Sequence, residues 1–150
     1  MIYRKNYQQG ISLIEMITII SIILILSIVS YPAISRYAPH YRLLGANREL
    51  ISILRYTQSE AVTKQYIYIT RFTTNNYSII KKDGDEGPEE TQGTINLPRG
   101  ISISVINLAD NQVAFTASGS PSNSGTIRLT NNLGEYITIE ITPSGQIRSY

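Results

Sequence analysis

From Ile11 to Tyr31 the chain runs for twenty-one residues with a single charge, Glu15. At about 1.5 Å per residue, a helix of that length crosses the roughly 30 Å hydrocarbon core of a bilayer, so one membrane insertion is expected over 11–31. Arg4, Lys5 and the amino terminus precede the run, and the first basic residue after it is Arg36. The excess of positive charge on the leading side puts that side in the cytoplasm and everything after Tyr31 outside it.

Glu15 is the anomaly in this run. A carboxylate in an apolar helix costs on the order of 2.5–3.5 kcal/mol to insert and marks either a partner or a function. The simplest alternative is that it snorkels to the head groups. A partner becomes available if the chain is cut after Gly10, because the new amine of Ile11 is a cation at the same depth. An ordinary secretory signal fits the run less well. The apolar stretch is longer than a 7–15 residue signal core, and neither Ile28-Val29-Ser30 nor Tyr31-Pro32-Ala33 offers a small residue at the outer position of a cleavage site.

The basic leader ending in Gly10, the apolar Ile11 and the carboxylate in Gly10-Ile11-Ser12-Leu13-Ile14-Glu15 resemble the class III signal of type IV prepilins and pseudopilins. The departures from its commonest form are Ile for Phe and Ser for Thr. The resemblance implies cleavage between Gly10 and Ile11 by a prepilin peptidase and methylation of the freed Ile11 amine. It also implies assembly with other pilins through the helix that carries Glu15. Pro32 falls where many pilins carry a helix-kinking proline.

Beyond Pro32 and Pro39, the residues Leu43, Ala46, Asn47, Leu50, Ile53, Leu54, Ala61 and Val62 recur at three- and four-residue intervals. This predicts an amphipathic helix interrupted by the two prolines. Arg42, Arg48, Glu49, Arg55 and Lys64 face mostly the other way, and Glu60 can support Lys64 one turn on. From Tyr66 the period changes to two. Residues 66–72, 77–81, 101–106, 112–115, 126–130 and 136–141 read as six strands rich in β-branched and aromatic residues. Turn residues separate them at Thr74-Asn75-Asn76, at 131–134 and at Pro143-Ser144-Gly145.

The stem text from Leu43 to Gln65 resembles the GspH/FimT/FimU group of minor pilins and pseudopilins, with Thr57-Gln58 where that group reads Ala-Arg. The later text around Phe115-Thr-Ala-Ser-Gly119, Gly125-Thr-Ile-Arg-Leu and Ile137 to Arg148 is similar to the same group. The implied fold is α+β and type IV pilin-like, a long N-terminal helix packed on a mainly antiparallel β domain. The expected division is a leader at 1–10, a transmembrane and assembly helix at 11–31, a helical stem at 32–65 and a β-rich domain at 66–150.

Charge and composition narrow the function. The thirteen basic residues, less Arg4 and Lys5, equal the eleven acidic ones, so the mature chain is formally neutral and no general polyanion surface is indicated. There is no Cys, which excludes a thiolate metal site and disulfides. The single His40 has no Cys or carboxylate near it in sequence and reads as a surface residue. No nucleophile elbow, phosphate loop or zinc-protease motif occurs, so no enzyme is expected, and no cofactor.

Two weaker candidates remain. Asp83-Gly-Asp-Glu-Gly-Pro-Glu-Glu90 is oxygen-rich, with Asp83, Asp85 and Glu86 as calcium candidates. It fails the EF-hand spacing and reads as a solvated loop, so no metal is expected. Arg128 and Arg148, with Tyr136 and Tyr150 near them, suggest a basic and aromatic tip for DNA. The DNA-uptake branch of the resemblance carries Gly-Arg-x-Arg there. Gln146 replaces the first Arg, so only Arg148 carries over and DNA is not the favoured partner. The leading expectation is a structural minor pilin or pseudopilin at a filament tip. A DNA-binding minor pilin and a major shaft subunit are the alternatives.

Overall fold

The computed structural model describes residues 11–150 except 85 and 86, without the side chains of 29–35 and 105. The expected leader, 1–10, with Gly10, lies outside the described residues. Helix α1 spans Leu13–Lys64. The chain divides into two compact units, one ending at Tyr37 and one comprising Ala38–Tyr150.

In the first unit, the Ser12 carbonyl accepts the backbone N–H groups of Glu15 (3.1 Å) and Met16 (3.2 Å) and opens the helix. The hydroxyls of Thr18, Ser21 and Ser27 donate back to the carbonyls of Ile14, Ile17 and Ile23 at 2.7–2.8 Å. Each is thereby satisfied within its own helix. The helix continues through Pro32 and Pro39, where the sequence pattern predicts interruptions. A proline removes one rung of the hydrogen-bond ladder, and the rungs on either side can carry the helix past it. Among the described residues no helix is long and apolar enough to cross a membrane. The expected span 11–31 is described with its side chains only as far as Ile28.

In the second unit, α1 buries Leu43, Ala46, Asn47, Leu50, Leu54, Thr57 and Ala61 along one stripe. Leu50 and Leu54 are fully buried, which stabilises the fold by about 1.5–3 kcal/mol each. Val62, expected in the stripe, is exposed, and Thr57 is buried in its place. The Thr57 hydroxyl donates to the Leu54 carbonyl and receives a long bond from Thr70 on the first strand, so its polarity is met locally. Lys64 pairs with Glu60 one turn back, as the spacing predicts, and that hydrogen bond raises the lysine's pKa. Gln65, at φ 58, closes the helix in the left-handed region, with its side chain on the Val62 carbonyl.

Two four-stranded antiparallel sheets follow. The strands are β1 (Ile67–Phe72), β2 (Asn76–Lys82), β3 (Glu89–Asn96), β4 (Ile101–Asn107), β5 (Gln112–Phe115), β6 (Gly125–Asn131), β7 (Tyr136–Ile141) and β8 (Ile147–Ser149). The first sheet has the order β3-β2-β1-β5 and the second β4-β6-β7-β8. Their inward residues, among them Tyr68, Phe72, Val113, Phe115, Ile127, Leu129, Ile139 and Ile141, share one core with Leu43, Leu50 and Leu54 of the stem. Two strands go beyond the six expected. β3 is polar at nearly every position and shows no apolar alternation, and β8 is only three residues long.

Candidate functional site

In the first unit the large apolar side chains from Ile11 to Ile28 are uncovered, from 46 % exposed at Met16 to 78 % at Leu13. An apolar surface of that extent needs lipid or protein to cover it. Glu15 is exposed on the same helix, and no ion pair among the described residues includes it. Ile11 is 65 % exposed, two residues ahead of the helix. The sequence therefore places an uncovered apolar helix, one carboxylate and the expected new amine within five residues.

The two arginines proposed for DNA lie on one face of the second sheet. Pairing sets Arg128 opposite Thr138, Thr130 opposite Tyr136, and Glu140 opposite Arg148. All of these point away from Ile127, Leu129, Ile139 and Ile141, because successive side chains on a strand alternate. The Arg128 guanidinium lies 4.6 Å over the Tyr136 ring, and its Nε is buried without a hydrogen-bond partner among the described residues. Arg148 donates to the Gln146 side-chain oxygen at 2.5 Å and has Glu140 as its cross-strand neighbour. The face thus brings the predicted residues together, with one carboxylate between the two cations.

The acidic run is only partly a loop. Glu89 and Glu90 begin β3 opposite Lys82 and Lys81, and Glu89 forms an ion pair with Arg71 at 3.0 Å. Asp83 is exposed, and Asp85 and Glu86 lie outside the described residues. Among the described residues no three His, Cys, Asp or Glu stand close enough to hold a metal ion. His40 is at the surface as expected, but its Nδ1 lies 3.4 Å from Glu135 on the β6–β7 hairpin, a carboxylate distant in sequence.

Sequence reasoning missed a clasp. Thr116-Ala-Ser-Gly119-Ser and Thr142-Pro-Ser-Gly145-Gln form the same turn twice. In each, the threonine hydroxyl meets the serine hydroxyl at 2.9 Å, the glycine N–H donates to the threonine carbonyl, and the glycine sits at φ 80. Gln58 Nε2 donates to both glycine carbonyls, at 2.8 Å to Gly119 and 3.1 Å to Gly145. The signal in the sequence was the repeated Thr-x-Ser-Gly text together with Gln58 standing where the resembled group has Arg.

Residues 46–145 match the family described as Type II transport protein GspH. The structure is similar to the type IV minor pilin FimU of Pseudomonas aeruginosa strain PAO1. That likeness has a TM-score of 0.58 at 21 % identity, over 76 % of this chain and 92 % of FimU. It is also similar to the minor pseudopilin EpsH from the Type 2 Secretion System of Vibrio cholerae. Here the TM-score is 0.60 at 13 % identity, over 73 % of this chain and 96 % of EpsH. No curated protein matches the sequence. At those identities the structural likeness establishes the α+β pilin-like fold. The family match, running from the stem through β7, establishes that the chain belongs to the GspH family.

Proposed function

We propose that the chain is a minor pilin or pseudopilin, a structural subunit built into the tip region of a type IV pilus or a type II secretion pseudopilus. A prepilin peptidase cuts between Gly10 and Ile11, and the Ile11 amine is methylated. The subunit waits in the bacterial inner membrane on residues 11–31 with its β domain beyond the cytoplasm, and then joins other pilins through the same helix. The division is leader 1–10, assembly helix 11–31 with Pro32 at its end, stem 32–65 and β domain 66–150. The role is structural and involves no catalysis.

The observation that carries this reading is the uncovered apolar helix bearing one carboxylate that enters no ion pair among the described residues. Lipid covers the apolar side chains before assembly, and neighbouring subunits cover them afterwards. Glu15 then pairs with the Ile11 amine of a neighbour and sets axial register, because any other stagger leaves a buried charge alone. Membership of the GspH family and the minor-pilin fold support it. Glu15→Ala tests it. The variant inserts at least as readily as the wild type, because insertion loses a cost, yet is depleted in the sheared filament fraction. Wild-type incorporation would remove the pairing role.

The second reading is a DNA-capturing minor pilin. It is favoured by Arg128, Arg148 and Tyr136 sharing a face, and opposed by Glu140 between them and by the Gln146 contact that occupies Arg148.

A further inference from the structure

A cleft of about 500 Å³ runs along the second-unit part of α1, lined by Asn47, Arg48, Ile51, Ser52, Arg55 and, from β8, Ser149. A second cleft shares Arg55 and continues past Gln58 to the twin turns. From residue 47 to residue 63 the two together follow about 24 Å of helix. Such a length suits an extended chain better than a small molecule.

Three features of the first cleft are open to a partner. Asn47 is 8 % exposed, and among the described residues its Oδ1 has no hydrogen-bond partner, while its Nδ2 makes a 3.4 Å contact with the Ser149 hydroxyl. Arg48 and Arg55, two turns apart on one side of the helix, enter no ion pair among the described residues, and no acid lines the cleft. β8 is the edge of its sheet. The reciprocal bonds between Thr138 and Tyr150 fix the alternation, so the N–H and C=O groups of Ile147 and Ser149 turn away from β7. No hydrogen bond among the described residues engages them.

We propose that this cleft is a docking site for an extended acidic segment of a partner protein, laid beside β8 as an added strand. The partner's backbone N–H and C=O groups meet those of Ile147 and Ser149, and its carboxylates meet Arg48 and Arg55. One of its peptide groups faces the Asn47 carboxamide, donating to Oδ1 and accepting from Nδ2. A nucleic acid strand fits worse. Its phosphate oxygens accept hydrogen bonds and offer no donor to Asn47 Oδ1 or to the free carbonyls of β8. The site lies on the opposite side of the second sheet from Arg128, and it does not depend on the pilin reading of the N-terminal helix.

The test uses the full chain in non-ionic detergent micelles and fluorescence anisotropy. The probe is a labelled peptide Glu-Thr-Glu-Val-Glu-Thr-Glu, with its lysine counterpart and a labelled ten-nucleotide oligo-dT as comparators. The acidic peptide binds saturably and the lysine peptide does not. Arg48→Gln combined with Arg55→Gln weakens binding by about tenfold or more, as expected for charge-assisted contacts, with an unchanged melting temperature because both side chains are exposed. N-methylation of one alternate set of peptide amides abolishes binding, whereas methylation of the other set leaves it, since only every second residue of an added strand faces the edge. The proposal is overturned by absent or unsaturable binding of the acidic peptide, by equal binding of both N-methylated peptides, or by indifference to the double arginine variant. Tighter, arginine-dependent binding of the oligo-dT would assign the cleft to nucleic acid instead.

Discussion

The guanidinium of Arg128 lies 4.6 Å over the ring of Tyr136, on the outer face of the second sheet. The register makes this contact diagonal, since Arg128 is opposite Thr138 and Tyr136 is two residues before it. A half-buried arginine held over an aromatic ring is a preorganised cation. Among the described residues it shares its face with one other arginine, Arg148, which donates to Gln146.

DNA retention is therefore expected to be weak and only shallowly dependent on salt, because two cations release about two counterions. Gln146→Arg removes the acceptor of Arg148 and adds a third cation beside it. Filter-binding or anisotropy across a salt series is expected to show higher affinity and a steeper slope for this variant. Tight binding by the unmodified chain at physiological salt, abolished by Arg148→Ala, would make DNA capture its purpose.

Gly145→Ala is expected to destabilise the β domain by about 1–3 kcal/mol, the cost of a non-glycine residue held at positive φ. A methyl there also meets Gln58 Nε2 at 2.8 Å and the Gly119 carbonyl at 3.1 Å, so it opens the clasp as well. Gln58→Ala separates the two effects, because it removes both hydrogen bonds without strain and costs about 1–3 kcal/mol if the carbonyls are left unpaired. Chemical denaturation of both variants checks this. Wild-type stability in Gln58→Ala would mean that water replaces the clasp.

Alkaline stability should depend on Tyr77. It is 1 % exposed, its hydroxyl has no hydrogen-bond partner among the described residues, and burial, with Glu49 nearby, pushes its pKa up to about 12. A pKa raised in the folded state means that the fold retains a proton which the unfolded chain releases. This stabilisation is complete below about pH 10, the ordinary tyrosine value, and is lost as pH rises toward 12. Tyr77→Phe is expected to flatten that loss and, at neutral pH, to equal or slightly exceed wild-type stability by removing an unsatisfied hydroxyl. A variant with an unchanged alkaline profile would contradict the assignment.

The sequence made the stem and the apolar strands legible because both bury a face and so carry a period. Leu43, Leu50 and Leu54 mark the helix, and Ile127, Leu129, Ile139 and Ile141 mark the inner face of the second sheet. The same period of two set Arg128 on the outer face, whereas Arg148 reaches that face through β8, which is too short to carry a period of its own. β3 carried no such mark, since Glu89 to Asn96 is held by pairing with β2 and not by burial. The Gln58 clasp and the Asn47 cleft were hidden for a different reason. Each joins residues about sixty to a hundred positions apart, through the arrangement of the sheets against the helix.

A fragment beginning at Arg36 is expected to be a soluble, folded α+β monomer. The compact unit Ala38–Tyr150 contains the buried stripe of the stem and both sheets that cover it. Size-exclusion chromatography and circular dichroism check this. Aggregation or an unfolded spectrum would mean that the stem needs the preceding helix to fold.

The mass of the mature N-terminus, measured on protein purified from its native membrane, tests the central claim most directly. The account predicts a chain that starts at Ile11 and carries one added methyl on its amine. An intact leader, or a start near Ala33, would contradict it and return residues 11–31 to the role of an uncut anchor or an ordinary export signal.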